Sequence, residues 1–444
     1  MDRQILRLAI PNIISNITVP LLGMVDLAIL GHLESEIYIG AIALGGLIFN
    51  FIYAIFSFLR MGTSGFTAQA FGEKDKPEMI MMFGRSMFFA IAGGLLLILL
   101  QYPVDIFSFY IMDGSEDVKS LAREYYYIRI YAAPASLGIL ALSGWFTGMQ
   151  NAKIPMFIAI TINMINIAAN LIFVYGFGMK SAGVAWGTVI AQYSGLILGL
   201  LLLKVKYKKL FYFWDRTDFF NWQKLARFFK VNLDIIIRTV CLIFTFAFFT
   251  SSSAKINDTI LAVNTVLLQY LFVFAYLTDG FAYAAEALVG KFVGANNLPD
   301  LKVVIKRLFL WGFGFSIPFT IIYFIFGNAL MLILTNNEKV IEAASPYLFW
   351  IGIVPIATFA AFVWDGIYIG ATASAPMRNT LLVATFLVFL PSYYILFDYI
   401  GNHGLWLAMM LFMITRGVML TLFRRKYIFS RIKVKNLLIK KTQQ

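Results

Sequence analysis

The sequence is short of cysteine, histidine and charge, and each shortage excludes something. Cys241 is the only cysteine, so neither an intramolecular disulfide nor a cysteine-ligated metal cluster can form. Two histidines, His32 and His403, fall at separate helix ends with no second ligand at metal spacing, so no metal site is expected. Only 13% of residues are charged and 60% are hydrophobic, whereas soluble domains sit near ~25% and ~45–50%. That excess of apolar surface implies a polytopic membrane protein. The strict alternation of a membrane barrel is also missing, because runs such as LLLILL and LILGLLLL are continuous. No Gly-x4-Gly-Lys-Ser/Thr loop, His-Glu-x-x-His or Gly-x-Ser-x-Gly appears, which argues against nucleotide-driven and enzymatic roles.

What is present is a succession of long apolar runs. Polar breaks divide them into twelve expected spans, at 5–31, 37–71, 79–101, 119–148, 155–176, 182–203, 225–252, 256–290, 303–326, 341–370, 376–398 and 403–423. The first follows only Arg3 and Arg7 and carries prolines and an acid, so it reads as a retained span rather than a cleaved signal. If the N-terminus is cytoplasmic, 27 of the 36 Lys and Arg face inward and five outward, and Arg60, Arg129, Arg238 and Arg416 fall within spans. This bias puts both termini on the cytoplasmic side of the membrane, which is expected to be a plasma (bacterial inner) membrane. It also accounts for the net charge of +13 without a nucleic-acid partner.

The densest basic loop splits the spans six and six. The expected organisation is an N-lobe (1–203), a cytoplasmic linker (204–224), a C-lobe (225–427) and a basic tail (428–444). The halves echo each other. GEKDKP at 72–77 matches GANNLP at 294–299, 222 residues on, and GMQNAKIPM at 148–156 matches GATASAPM at 370–377. A six-span unit returns the chain to its starting side, so the second copy repeats the topology about an axis along the membrane normal. Gly144/Gly148 and Gly366/Gly370 take equivalent Gly-x3-Gly places and would let helices approach closely, unless chance put them there.

Five acids fall inside spans, where ionisable groups are costly and usually functional: Asp26, Asp234, Asp279, Glu286 and Asp365. Asp26 has no opposite charge in its own segment. Asn163, Asn166 and Asn170 form a stripe on one face of span five and could hydrogen-bond either protonation state of a carboxyl. The pair reads as a proton-coupling Asp26 with an amide site, or as polar glue between helices. Pro11 and Pro20 make span one a hinge candidate, with a static kink as the alternative. Asp234 and Arg238 are spaced for an intrahelical ion pair. Asp279, Glu286 and Asp365 suggest a second acidic cluster that either binds a cation or proton, or is satisfied by Arg238 and tyrosines.

LLGMVDLAILG, FLRMGTSGFTAQAFG, GMQNAKIP, NLDIIIRT, DGFAYAAEA and WDGIYIGATASAPMRN resemble the MATE family of multidrug and toxic compound extruders, in particular its DinF-like branch, over about residues 5–425. The resemblance implies two six-helix lobes and cation-driven antiport of small organic compounds by alternating access. It implies Asp26 as the proton-responsive group and Asn166 as the fifth-helix asparagine. Where many members carry a second aspartate this chain has Asn170, so Asp26 is expected to be the sole buried carboxylate of the N-lobe. No cofactor is expected. The coupling ion is read as a proton, with sodium as alternative, and flipping of a lipid-linked saccharide as a rival activity. The expected partners are organic substrates and membrane lipids, and the expected state is a monomer.

Overall fold

In hydrocarbon a backbone has no water to bond to, so an apolar run of this length satisfies its own amides as helix. The computed structural model, which describes residues 1–31 and 37–432, is built of helices accordingly. His32 lies outside the described residues, as do residues 433–444 of the expected tail. We number the helices α1 (Asp2–Gly31), α2 (Ile37–Phe56), α3 (Phe58–Glu73), α4 (Lys76–Leu99), α5 (Gln101–Ile111), α6 (Glu116–Arg129), α7 (Ala133–Gly148), α8 (Lys153–Leu171), α9 (Lys180–Tyr207), α10 (Arg216–Phe219), α11 (Trp222–Ile256), α12 (Asp258–Gly294), α13 (Leu298–Leu334), α14 (Glu338–Ala344), α15 (Leu348–Gly370), α16 (Ser374–Leu382), α17 (Leu390–Ile400) and α18 (Asn402–Arg424). Several join end to end, and eleven resulting helices among the described residues are long and apolar enough to cross a membrane. With α1 they make twelve.

The repeat anticipated from a few motifs extends through the helical frame. The spans Ile37–Glu73 and Asp258–Gly294 are both 37 residues long, and Glu116–Gly148 and Glu338–Gly370 are both 33. Their connections are built alike. α3 and α12 each end on a left-handed residue, Lys74 (φ 59°) and Asn296 (φ 55°). Each end is closed by a bond back to the last turn, Asp75 N–H to Ala70 O and Asn297 N–H to Phe292 O, both 3.0 Å. The next helix then starts on a side-chain cap, Asp75 or Asn297. These features stand 222 residues apart, as do the left-handed Gln150 and Thr372.

The Gly-x3-Gly pairs do the same work in both halves. A Cβ on Gly144 would overlap the carbonyl of Arg60, and one on Gly148 would reach the Ser64 carbonyl at 2.8 Å. On the other side, Gly366 lies against the Ala282 carbonyl and Gly370 against that of Glu286, 2.6 Å from where its Cβ would be. Glycine here lets α7 lie on α3, and α15 on α12, at backbone distance.

The chain divides into two compact units, Ile14–Ala226 and Met1–Ile13 with Arg227–Gln444. The boundaries fall within α1, between Ile13 and Ile14, and within α11, between Ala226 and Arg227, and both helices run through them unbroken. In the second unit Gly280 of α12 admits the first part of α1, its Cβ position lying 2.9 Å from the Ala9 carbonyl. The segment expected as a cytoplasmic linker, 204–224, falls in the first unit. It holds the end of α9, a short tight turn at Lys208–Phe213, α10 and the start of α11.

Candidate functional site

In the first unit, the polar stripe on α8 faces α1. Asn163 Nδ2 donates to the Thr18 carbonyl (3.1 Å), Asn170 Nδ2 donates to Asp26 Oδ1 (2.7 Å), and the Tyr175 hydroxyl donates to the Ile29 carbonyl (2.9 Å). Tyr175 reaches that carbonyl from a widened helical turn, Ile172–Gly176, that directly follows α8. Three amide and phenol contacts therefore run along α1 on either side of its carboxyl.

Behind Asp26 the network continues into α9. Asn170 Nδ2 also donates to Asn166 Oδ1 (3.0 Å), Asn166 Nδ2 lies 3.2 Å from the Thr188 hydroxyl, and that hydroxyl donates to the Val184 carbonyl. Turning the Asn166 amide over brings its nitrogen to Asp26 Oδ1 at 3.2 Å and its oxygen to the Thr188 hydroxyl and amide. The second bond to the carboxyl then replaces the bond between the two amides, because the Asn166 nitrogen lies 3.0 Å from Asn170 Nδ2. A Cβ at Gly187 would overlap Asn170 Oδ1, so glycine there makes room for the network. Asn166 and Asn170 are buried, whereas Asp26 is half-buried.

The cation that acts electrostatically on Asp26 is Arg129, at the end of α6. It bonds the Tyr125 hydroxyl and lies 4.7 Å from the Phe49 ring centre. The sequence marks Arg129 as an in-span arginine without naming its partner. The signal was available, because an arginine within a span requires a partner, but spacing along the chain could not name it. One expectation is corrected. Asp26 is not the sole buried carboxylate of this half, since Asp105 on α5 is more buried and pairs with Arg123 at 3.2 Å.

In the second unit the acids are arranged otherwise. The intrahelical pair of Asp234 with Arg238 does not form. Asp234 is bound from α16 instead, by Arg378 Nη1 (2.6 Å) and the Ser374 hydroxyl (2.7 Å), which use both its oxygens. Arg238 turns to Asp365, and Arg416 of α18 reaches the same Oδ2 at 2.7 Å. Partners on packed neighbours displace the i, i+4 partner: those of Asp234 bond both its oxygens, whereas Asp365 is bonded through Oδ2 alone and its Oδ1 stays without a hydrogen bond among the described residues. Asp279, half-buried on α12, acts electrostatically on Arg416. Glu286, seven residues on, is 1% exposed. The expected acidic cluster is therefore a mixed one, with two guanidiniums held on one carboxylate.

His403 is occupied by the Trp350 indole N–H (3.0 Å) and the Tyr347 ring. A further network escaped sequence reading. Asn264 bonds Ser253, Asn402 and the Trp406 indole, and every one of these partners is buried. Isolated asparagines on separate helices gave no pattern from which to read it.

The MatE family model matches the chain twice, over residues 11–172 and 235–395. The two matches begin and end at nearly the offset that relates the helices. DNA damage-inducible protein F of Escherichia coli (strain K12) is 36% identical over 432 residues, 96% of this chain and 92% of that protein. The probable multidrug resistance protein NorM of Thermotoga maritima is 22% identical, covering 98% of this chain and 96% of its own length. A crystal structure of a MATE protein in the bent conformation matches the fold with a TM-score of 0.89 at 18% identity, over 98% of this chain and 96% of that one.

Proposed function

We propose that this chain, which belongs to the MatE family of membrane transporters and is not an enzyme, exports small organic compounds in exchange for protons by alternating access. The observation that carries the reading is the setting of Asp26. Its carboxyl accepts from Asn170, with Asn166 able to join, and among the described residues it makes no direct ion pair. An acid held by amides can change protonation without breaking a salt bridge, because an amide offers both a donor and an acceptor. In the cycle, substrate occupies the inward-open state while Asp26 is ionised. An external proton then neutralises Asp26 after reorientation, the contacts along α1 rearrange, and the substrate leaves. Only differential affinity of the proton for the two states can drive this step.

The contrast with Asp365 supports protons over sodium. Two guanidiniums already occupy Asp365 Oδ2, so a bound sodium ion there would face two fixed positive charges. The lipid-linked saccharide reading calls for free cationic side chains. Arg238 and Arg416 are engaged by Asp365, and Arg129 by Tyr125 and Phe49. The name of the Thermotoga relative suggests multidrug substrates, and the 18 methionines and 44 phenylalanines suit bulky apolar ligands. A monomer in the bacterial inner membrane with both termini cytoplasmic completes the reading.

The test uses vesicles with an imposed pH gradient and several organic substrates. Wild type is expected to export them, with the rate unchanged when potassium replaces sodium. Asp26→Asn is expected to lose gradient-driven export. Export by the mutant at the wild-type rate would remove Asp26 from the mechanism.

A further inference from the structure

The basic ends of α4 and α13 correspond at the 222-residue offset but are finished differently. Arg307 takes the place of Arg85, Lys306 that of Gly84, and Leu310 that of Phe88. In the first unit this face is covered by the chain itself. Arg85 is fully buried and donates to Glu78 (2.9 Å), to the Asp218 carboxylate (3.1 Å) and carbonyl (2.6 Å), and to the Phe219 carbonyl (3.2 Å). Lys224 closes the charge ring on Glu78 and Asp218. Beside it the Trp214 ring lies against Gly84, and the Phe219 ring meets that of Phe88 edge-on at 6.2 Å. The cover is amphiphilic, with a carboxylate on the arginine and aromatic rings on the apolar wall next to it.

In the second unit the corresponding face is an open groove of about 630 Å³, with Lys306 and Arg307 at one end and Leu310, Phe313 and Phe359 along its wall. Leu310 is 58% exposed and Phe313 45%. Among the described residues the acid facing Arg307 is Asp2, at 3.7 Å with both side chains nearly half exposed, which is a weak pair. Lys302, one turn back, adds positive charge. Residues 433–444 carry four lysines and no acid, so like charge opposes their taking the place that Asp218 fills in the first half.

We propose that this groove binds an anionic phospholipid, its phosphate on Lys306 and Arg307 and its upper acyl chain along Leu310, Phe313 and Phe359. Lys306 and Phe313 lie seven positions apart, about 10 Å of helix, a suitable length from headgroup to hydrocarbon. Basic pockets at the ends of membrane helices attract anionic headgroups through such pairs. The site requires only that the chain lie in a membrane, so it stands apart from the coupling ion and the transported compound.

The test is lipid retention, counted by native mass spectrometry on the purified full-length protein titrated with phosphatidylglycerol or phosphatidylcholine. Wild type is expected to keep phosphatidylglycerol under conditions that strip phosphatidylcholine. Lys306→Gln with Arg307→Gln should weaken that binding about tenfold or more, whereas Lys119→Gln with Lys339→Gln should not. Leu310→Trp fills the groove, keeps both cations and should also lose the lipid; it decides the matter if the double variant does not fold. Equal retention by wild type and the groove variants overturns the proposal, as does equal retention of the two lipids. A several-fold rise in phosphatidylglycerol binding on removing residues 433–444 would assign the groove to that segment instead.

Discussion

Carried back by 222 residues, Asp365 falls on Ser143, Arg238 on Asn16 and Arg416 on Ser194, while Asp26 carried forward falls on Phe248. Phe248 packs among the rings of Phe389 and Tyr393, at 5.7 and 5.0 Å. The halves thus share caps, turns and glycine crossings but, among the described residues, no buried charge at equivalent positions. Backbone features repeat because each solves the same problem, that of ending or crossing a helix without orphaned amides. Buried ionisable groups are free of that constraint, and each half has placed them differently. The first half sets a single carboxyl among amides, an arrangement that tolerates both charge states. The second locks Asp234 and Asp365 to guanidiniums, an arrangement that tolerates one.

Breaking the locked arrangement should have the largest effect. Asp365→Asn leaves two buried guanidiniums facing a neutral amide and is expected to cost about 3–5 kcal/mol, read as a fall in thermal stability in detergent. If Asp365→Asn were as stable as wild type, the contrast between the halves would fail. The paired arginines at the helix ends come next. Arg85→Gln removes a fully buried guanidinium bonded to Glu78, Asp218 and the Phe219 carbonyl, and should cost about 2–3 kcal/mol, whereas Arg307→Gln removes a half-exposed pair and should cost under about 1 kcal/mol. Equal losses would contradict the different finishing of the two ends.

Where the halves agree, the effects should agree too. Gly144→Ala and Gly366→Ala each push a Cβ into a backbone carbonyl, and each should lose about 1–3 kcal/mol by the same assay. A large difference between them would show that the crossings are not equivalent. The smallest stability effect is expected at Asp26. Asp26→Asn keeps an acceptor for Asn170 and should shift stability by less than about 1 kcal/mol, while pH-gradient-driven export is lost. A large stability loss there would make Asp26 structural, like Asp365.

Much of this frame was legible in the sequence because hydrocarbon leaves the backbone so few choices. The length of apolar runs gave the spans, the GEKDKP/GANNLP and GMQNAKIP/GATASAPM matches gave the repeat, and the spacing of Asn163, Asn166 and Asn170 gave a polar face. The pairing of charges was not legible. Asp234 and Arg238 have suitable spacing on α11, yet each is claimed by another helix, Asp234 by α16 and Arg238 by α15. Arg129 lies 103 residues from Asp26 in the chain, and no local pattern connects them.

The sequence by itself determined that the chain is a duplicated bundle of membrane helices with an acid in its first span, since periodicity and hydropathy are properties of neighbours along the chain. Only the tertiary structure decided which acids meet amides and which meet arginines. A buried charge is governed by whatever packs within a few ångströms of it, and in this fold that environment comes from other helices.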